Sequence, residues 1–387
     1  MLQDSEMIAV KDWRKALKTP PGYRIINKTI RSQTQFITGV ALLGLILLTV
    51  IYMFPKRSST SNGTFSYTYN NTYPLTSPIK TSTMHTFRLG IIADLDTNSK
   101  STSDKDTWYS YLKKGYLSYS PNKQTVVVSW DHTDPVKLKT SFALKSRGME
   151  LSELVVFDGK LLTFDDRTGM VFEIVNDHAV PWLVLLDGDG RFRNTKGFKS
   201  EWATVKNKVL HVGSMGKEWT TPDGAFVNND PQYIKMITTE GVVHHLNWKE
   251  EYIRLREVLD IHWPGYMIHE SGVWSDIHQK WFFLPRRCSK DAYNETLDEH
   301  RGCSWLLTAD STVHGVEAIE IPNLISSRGF SSFKFIPTSE DTVIVALRSE
   351  ELDGKTATYI TAFTINGKIL LDDTFISDLK YEGLEFI

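Results

Sequence analysis

The sequence predicts an all-β protein: a five-bladed β-propeller over residues 86–387, preceded by one N-terminal transmembrane helix and a stem. Short runs rich in β-branched and aromatic residues dominate this region, and Gly, Asp, Asn and Pro turns separate them. Only residues 248–260 have the apolar spacing of a helix, which excludes a parallel α/β architecture. A turn motif also recurs at gaps of roughly 50 to 70 residues, as expected for one sheet per gap. A large β-sandwich is the alternative fold.

The N-terminal segment predicts a single membrane anchor. Residues 36–54 carry no charge and would span ~28 Å as a helix. Basic residues outnumber acidic ones before this run, so the positive-inside rule places residues 1–35 in the cytosol. A cleaved signal peptide is disfavoured because the apolar run is too long, too far from Met1 and without a small-residue cleavage site. Residues 55–85, rich in Ser, Thr, Asn, Tyr and Pro, are predicted to form a lumenal stem.

The composition beyond the anchor fits a lumenal or extracellular domain. Three Asn-x-Ser/Thr sequons at Asn62, Asn70 and Asn294 agree with that side of the membrane, although such triplets are common by chance. Cys288 and Cys303 are the only cysteines, and a disulfide is expected in an oxidising compartment, with two free thiols as the alternative. The formal net charge of -2 gives no indication of nucleic-acid binding.

The predicted strands follow one another from the start of the folded region near Thr86 to the C-terminus. They are, in chain order, residues 87–93, 108–118, 124–130, 154–157, 160–164, 170–175, 182–186, 202–205, 209–212, 233–237, 242–246, 281–284, 304–309, 333–336, 342–347, 359–364 and 368–371. The C-terminal segment 380–387 is predicted to pair with the N-terminal blade and to close the ring, which removes an exposed sheet edge.

The recurring motif places oxygen-bearing side chains at equivalent points of the chain. Its copies are RGMELSELVVFDG, KGFKSEW, IHES, RGFSSF and KYEGLEF. If each copy lies at the same place in its blade, several carboxylates meet in the central tunnel, where a cation must neutralise them. A set of oxygen donors favours Ca²⁺ over zinc or copper. The predicted ligands are Ser152, Glu153, Glu201, Glu270, Ser331 and Glu382. The alternative is that these are capping and turn residues that bond to nearby backbone.

Two further segments carry candidate catalytic groups. Asp94-Leu95-Asp96 places two carboxylates at a strand end, where they could hold a metal–phosphate complex or orient water. The hairpin segment 165–169 combines carboxylates with a guanidinium suited to phosphate oxygens, although a type I turn is the alternative interpretation. The candidate catalytic residues are Asp94, Asp96, Arg147, Asp165, Arg167 and Arg286.

Many motifs of the chain, in the same order, resemble one known family. They are IIADLDTNSK, TWYSYLKKGYL, KSRGMELSELVVFDGKLLTFDDRTG, KGFKSEW, PGYMIHES, WFFLPRR, GFSSFKFIP and KYEGLEFI, and they cover essentially residues 86–387. The chain resembles the soluble calcium-activated nucleotidases and the related secreted apyrases of blood-feeding arthropods. The resemblance implies a five-bladed propeller with Ca²⁺ in its tunnel and the six ligands named above. It departs from the vertebrate motif in having Glu153 where an Asp is expected, which would alter the geometry of a side-chain ligand.

The resemblance also implies an activity and a cellular location. It implies hydrolysis of nucleoside di- and triphosphates such as UDP, GDP and UTP, with ADP a poor substrate in vertebrate members. It further implies a single-span protein of the endoplasmic reticulum and Golgi, linked to proteoglycan synthesis, from which a soluble form can be released. In the resulting hypothesis Asp94 or Asp96 positions the attacking water while Arg147, Arg167 and Arg286 stabilise the developing phosphoryl charge.

Two functions of other classes remain as alternatives. A Golgi glycosyltransferase would share the membrane anchor, the stem and the Asp-x-Asp motif at residues 94–96, but it requires alternating strands and helices. A non-catalytic calcium-binding propeller would recognise glycans or proteins. The sequence leaves open the nucleotide preference, the general base and whether the protein forms a homodimer.

Overall fold

The computed structural model describes residues 22–25, 28–53, 68–191, 196–322 and 324–387. The chain forms two compact units, Met1–Thr68 and Tyr69–Ile387. The first unit contains a hairpin of strands β1 (Gly22–Ile25) and β2 (Lys28–Arg31), and then the helix α1 (Ser32–Met53).

The predicted membrane segment 36–54 coincides with α1 up to Met53. Within the part of the chain that the structure describes, no helix is both long and apolar enough to cross a membrane. The anchor, the cytosolic tail and the stem therefore stay predictions. Phe54 and the sequon at Asn62 lie outside the described residues. The second unit begins at Tyr69 and thus includes residues 69–85, which the sequence analysis assigned to the stem.

Antiparallel sheets of the second unit form five blades. The strands of blades 1 and 2 are β3 (Ile79–Lys80), β4 (His85–Ala93), β5 (Trp108–Ser120), β6 (Thr125–Trp130), β7 (Val136–Thr140), β8 (Leu151–Phe157), β9 (Lys160–Asp165), β10 (Met170–Val175) and β11 (His178–Val184). Blade 3 and the hairpin inserted into it comprise β12 (Trp202–Lys206), β13 (Val209–Gly213), β14 (Trp219–Thr220), β15 (Phe226–Asn228), β16 (Tyr233–Ile237) and β17 (Val243–Asn247).

The remaining strands complete the ring. Blades 4 and 5 comprise β18 (Tyr266–Ser275), β19 (Lys280–Ser289), β20 (Trp305–Ala309), β21 (Glu317–Glu320), β22 (Arg328–Phe335), β23 (Val343–Leu352), β24 (Lys355–Thr364) and β25 (Ile369–Ser377). The last strand is β26 (Tyr381–Phe386), and it joins blade 1. Two short helices, α2 (Lys249–Glu257) and α3 (Glu295–Asp298), lie in connections, and α2 confirms the helix predicted at residues 248–260.

The C-terminal strand closes the ring as predicted. β26 pairs antiparallel with β4, with Leu384 opposite Ile91 and Phe386 opposite Leu89. The first strands of the other blades are β8, β12, β18 and β22, and together with β26 they contact one another in a closed circle. These five strands are called the innermost strands below. The five-bladed propeller is confirmed, and the described sheets are antiparallel, which is incompatible with the nucleotide-sugar transferase architecture.

Among the described residues the hydrophobic core consists of five large apolar clusters, each between two neighbouring blades, and one small cluster of Met215, Tyr266 and Ile268. Trp202 of blade 3 packs edge-to-face against Trp281 of blade 4, with ring centroids 6.2 Å apart. Phe282 of blade 4 packs in the same way against Phe335 of blade 5, at 5.0 Å. Because every blade is packed on both faces, the position of each innermost strand depends on its neighbours on both sides.

The innermost strands are interrupted by β-bulges at the motif residues. The pairing register skips Ser152 in β8, Glu270 in β18, Ser331 in β22 and Glu382 in β26. A bulge leaves a residue without a cross-strand partner and redirects its side chain. The sequence motif is therefore a bulge motif that recurs on four of the five innermost strands, and Glu201 directly precedes the fifth, β12.

Candidate active site

A cavity of about 530 Å³ lies where the innermost strands begin. Glu201, Glu270 and Glu382 reach it from three blades, and Asp94 and Asp96 reach it from the end of β4. Charged side chains make up most of its wall. The structure thus brings together residues that are up to 288 positions apart, from Asp94 to Glu382.

Arg286 on β19 holds two of the predicted metal ligands together. Its guanidinium bonds to Glu270, lies 2.8 Å from Glu382 Oε1 and lies 2.6 Å from Glu351 Oε2. These three carboxylates keep the pKa of Arg286 well above its usual value although burial acts to lower it. A buried pair of this kind is stable only while both signs of charge are present.

Lys199 neutralises the third predicted carboxylate ligand. Its Nζ lies 2.6 Å from Glu201 Oε1 and also bonds to Asp166. Burial nevertheless raises the pKa of Glu201 to about 8, because desolvation and the charges of Glu270 and Asp166 outweigh the attraction of Lys199. Burial likewise raises the pKa of Glu382 well above its ordinary value.

Lys380 links the predicted metal ligands to the candidate catalytic carboxylates. Its Nζ lies 2.8 Å from Asp94 Oδ2, 2.8 Å from Asp96 Oδ2 and 3.6 Å from Glu382 Oε1. It also lies 3.2 Å from Glu351 Oε1. One ammonium group in the cavity wall therefore joins carboxylates of blade 1 and blade 5.

Asp94, Asp96 and Glu150 form an acidic cluster beside this ammonium. One oxygen from each lies within 4.8 Å of the other two, a spacing that could hold a metal ion. Burial raises the pKa of Asp94 to about 6 and that of Glu150 to about 7. Arg147 bonds to Glu150 and lies 3.3 Å from Asp96 Oδ1. A carboxylate with a pKa of about 6 can accept a proton from water near neutral pH.

The remaining predicted ligands, Ser152, Glu153 and Ser331, do not line the cavity and differ from one another. The Ser152 hydroxyl donates to the backbone carbonyl of Ser200. The Ser331 hydroxyl is fully buried and has no hydrogen-bond partner among the described residues. The Glu153 carboxylate accepts hydrogen bonds from the hydroxyl of Ser332 and from the Leu154 N–H, both at 2.8 Å. Glu153 is thus hydrogen-bonded and does not line the cavity, while Glu201, Glu270 and Glu382 do.

Asp165 and Arg167 also lie in different surroundings. Asp165 Oδ2 accepts from the Met149 N–H at 2.7 Å, and its Oδ1 accepts from the Arg167 and Thr168 N–H groups at 2.9 and 3.2 Å. This is the turn geometry that the sequence left open as the alternative for this hairpin. The Arg167 side chain, in contrast, lines the cavity.

Several cavity residues were not singled out from the sequence. They are Glu150, Asp166, Lys199, Glu351 and Lys380. A signal for two of them was present, because Lys199 and Lys380 each stand two residues before a predicted carboxylate ligand, in the segments KSE and KYE. Glu351 gives no comparable signal, since it reaches the cavity from the β23–β24 hairpin rather than from an innermost strand.

The cavity offers the oxygen donors that a calcium ion requires, and among the described residues Asp94, Asp96 and Glu150 form the group spaced closely enough to hold a metal ion. Glu201, Glu270 and Glu382 supply oxygen only, and oxygen is the donor that Ca²⁺ prefers. Burial raises the pKa values of Glu201 and Glu382 because it disfavours their charged forms, and a bound divalent cation would stabilise those charged forms. The buried, unbonded hydroxyl of Ser331 is an additional oxygen donor on the same ring of strands.

The fold is a five-bladed propeller, and its site is a cavity lined by carboxylates and cations, with one acidic cluster spaced closely enough to hold a metal ion. The family model described as Apyrase matches residues 95–387, and the chain therefore belongs to the apyrase family. This finding confirms the resemblance noted from the sequence motifs.

Three relatives illustrate the similarity. "Soluble calcium-activated nucleotidase 1" of Rattus norvegicus is 50% identical over 319 residues, covering 82% of this chain and 78% of that protein. "Apyrase" of Cimex lectularius is 44% identical over 366 residues, covering 94% of this chain and 99% of that protein. "Apyrase apy-1" of Caenorhabditis elegans is 43% identical over 303 residues, covering 78% and 84%.

Proposed function

We propose that this protein is a calcium-dependent nucleotidase that hydrolyses nucleoside di- and triphosphates. Membership of the apyrase family makes the chain a nucleotide hydrolase. Calcium dependence is supported by the names of its nucleotidase relatives and by the oxygen donors gathered in the tunnel. The observation that carries the proposal is that one cavity holds both an acidic cluster, Asp94, Asp96 and Glu150, and the cations Arg286 and Lys380.

The acidic cluster is proposed to position the attacking water. Asp94 or Asp96 accepts a proton from water as the water oxygen bonds to the terminal phosphorus. The anhydride bond to the remaining phosphate then breaks, and UDP yields UMP and phosphate. The Asp94 pKa of about 6 leaves this carboxylate ionised at neutral pH and thus able to accept the proton.

The cavity cations are proposed to stabilise the charge on the phosphoryl oxygens. Arg147, Arg167 and Arg286 present guanidinium groups, which suit phosphate geometry. Lys199 and Lys380 add compact charges beside them. Groups already fixed by ion pairs need little rearrangement during the reaction, and such preorganised charges account for much of the rate in phosphoryl transfer.

Calcium is proposed to be held by Glu201, Glu270 and Glu382, with Ser152 and Ser331 completing the oxygen set. When bound, the ion would supply positive charge next to the substrate phosphates. Glu153 belongs to the proposed set through its place in the motif, but its carboxylate already accepts two hydrogen bonds and lies 3.3 Å from Lys334 Nζ. We therefore expect its replacement by Gln to weaken calcium binding less than Glu201→Gln does.

The proposed physiological substrates are UDP and GDP, with UTP also accepted. A type II membrane protein of the endoplasmic reticulum and Golgi would remove UDP, an inhibitory product of glycosyltransferases, and so support proteoglycan synthesis. The apolar segment 36–54 with its basic flank and the three sequons support this location. A released soluble form and a homodimer are further parts of the proposal. Protease protection of a C-terminal tag in intact microsomes, with an N-terminal tag left accessible, would test the topology.

The central experiment measures phosphate release by the purified full-length chain from UDP, GDP and ADP. We expect release from UDP and GDP with millimolar calcium and its loss when a chelator is added. A parallel assay offers UDP-sugar with glycan acceptors. Sugar transfer, or the absence of hydrolysis at every calcium concentration, would contradict the proposal.

A further inference from the structure

The cavity has one aromatic side among otherwise charged walls. Among the described residues that line it, Trp219, Ile268 and Tyr293 are the only large apolar side chains. A nucleotide likewise has one part without charge, its planar base. We propose that Trp219 and Tyr293 form the surface on which the base stacks, which would make them the base-binding residues of this site. The inference rests on the proposed function, since it assigns part of the same substrate.

The two aromatic side chains are partly exposed. Both pack against a small apolar cluster formed by Met215, Tyr266 and Ile268. Tyr293 meets Tyr266 edge-to-face, with ring centroids 5.3 Å apart. Packing against this cluster keeps the rings in place, and both side chains remain partly exposed in the cavity wall. Rigid aromatic groups of this kind bind flat ligands at a low cost in conformational entropy.

The segments that carry the two aromatic residues are joined to each other. Trp219 begins the short β14–β15 hairpin, and Tyr293 lies in the loop between Cys288 and Cys303, which form a disulfide with a Cα–Cα distance of 5.2 Å. The Glu295 N–H donates to the Pro222 carbonyl at 3.1 Å, which connects this loop to the hairpin. The aromatic surface is therefore held by a covalent link and by backbone hydrogen bonds.

A lysine lies over each of the two aromatic rings. Lys196 also lines the cavity, and its Nζ lies 3.9 Å from the Trp219 ring centroid. Lys217 lies 4.2 Å from the Tyr293 ring centroid, but it does not line the cavity and donates to Thr220 Oγ1 at 2.8 Å. Lys217 thus does not line the cavity, whereas Lys196 lies over the Trp219 ring in the cavity wall, so that its ammonium would adjoin a nucleotide stacked at this surface. Stacking of this type accepts every base, because each base has a π-face.

The test separates base binding from phosphate binding in the full-length protein with calcium. We expect Trp219→Ala and Tyr293→Ala each to raise the KM for UDP about tenfold with little change in kcat, within the range of aromatic–base stacking. Trp219→Phe should restore most of the affinity because it restores an aromatic ring. Inhibition by imidodiphosphate, which has no base, should be the same in all variants.

A matched control replaces a tryptophan outside the cavity. Trp130→Ala removes a partly buried indole that also has a lysine near its ring, with Lys113 Nζ 5.7 Å from the centroid. The KM for UDP should stay unchanged in this variant. An unchanged KM in Trp219→Ala, or imidodiphosphate inhibition weakened as much as UDP binding, would overturn the inference.

Calorimetric titration with UDP shows whether the inference about the aromatic surface has failed or the proposed function has failed. A wild-type protein that binds UDP but does not hydrolyse it would contradict the proposed function only. Weaker UDP binding by Trp219→Ala in that case would still support the aromatic surface. Hydrolysis by the wild type with equal UDP binding in both proteins would contradict the aromatic surface only.

Discussion

The buried carboxylates of the site are each accompanied by a cation. Glu201 has Lys199, Glu270 has Arg286, and Glu382 contacts Arg286 at 2.8 Å. Removal of one partner of such a pair leaves an uncompensated buried charge, which costs several kcal/mol. Substitutions at the ion-paired ligands will therefore combine loss of calcium with loss of stability. Asp94 is ion-paired as well, but its partner Lys380 also contacts Asp96 and Glu351, so the catalytic role is better tested at Asp94.

We predict that Asp94→Asn lowers kcat for UDP by about 10²- to 10⁴-fold, the usual contribution of general acid–base catalysis. Stability should change little because Lys380 keeps Asp96 at 2.8 Å and Glu351 at 3.2 Å. Steady-state kinetics and a thermal melt measure the two effects. A variant that retains most of the wild-type kcat would show that Asp94 is not the group that positions water.

We predict the opposite pattern for Asp165→Ala, with a loss of stability and little change in kcat. Asp165 accepts hydrogen bonds from three backbone N–H groups, so its loss should lower the melting temperature. The folded fraction should keep a kcat close to that of the wild type. The sequence placed Asp94 and Asp165 in the same candidate class, since carboxylates beside turns look alike until their hydrogen-bond partners are known.

The innermost strands determine where the ligands lie. Bulges at Ser152, Glu270, Ser331 and Glu382 turn these residues out of the strand pairing. The strand β26 contacts both β8 and β22, and it carries Glu382 between them. The strand β26 therefore both closes the ring and contributes Glu382 to the site.

We predict that Gly383→Ala destabilises the closed ring. An added Cβ would lie 2.6 Å from Glu153 Cα and 2.6 Å from Leu154 N, so β26 and β8 would have to separate. Overpacking of this kind costs about 1–3 kcal/mol. Chemical denaturation with and without calcium measures the loss, and calcium affinity should fall as well because Glu382 moves with β26.

Gly90→Ala is the matched control on the partner strand β4. Its added Cβ would meet only the side-chain ends of Ile387 and Leu112, at 3.0 Å or more, and these ends can move. The control should cost clearly less stability than Gly383→Ala. Equal stability of the two variants would mean that the contact between β26 and β8 is not tight in solution.

The propeller as a whole concentrates negative charge on its axis. Burial raises the pKa of Glu201 to about 8 and that of Glu150 to about 7, against an ordinary value of 4.5. Between pH 4.5 and these raised pKa values, the calcium-free folded protein binds more protons than the unfolded chain does. This contribution to stability is fully present below pH 4.5 and is lost as the pH rises through about 7 to 8.

We therefore predict a pH-dependent stabilisation by calcium. In chelator, the contribution of these carboxylates makes the protein less stable at pH 8.5 than at pH 6. Calcium should raise the melting temperature more at pH 8.5, because at pH 6 it must displace protons from the same carboxylates. Thermal melts at both pH values measure the two shifts. A larger calcium effect at pH 6 would contradict the assignment of Glu201 as a ligand.

The sequence by itself determined the propeller, its closure by the C-terminal strand, the helix at residues 248–260 and the recurring motif. Strand periodicity, turn residues and repeat spacing are signals in the sequence itself, and each can be recognised without knowledge of the contacts in the folded protein. Membership of the family likewise follows from motifs that can be read in order along the chain.

Only the tertiary structure decided which partner each charged group has. The ammonium of Lys380 lies between Asp94, which follows β4, and Glu382 of β26. Glu351 reaches the cavity from the β23–β24 hairpin, and Glu153 accepts a hydrogen bond from Ser332 and does not line the cavity. Trp219 of β14 and Tyr293 of the loop between β19 and β20 both line the cavity although they are far apart in sequence. These contacts depend on the closure of the ring, because burial and charge pairing are properties of neighbours in space.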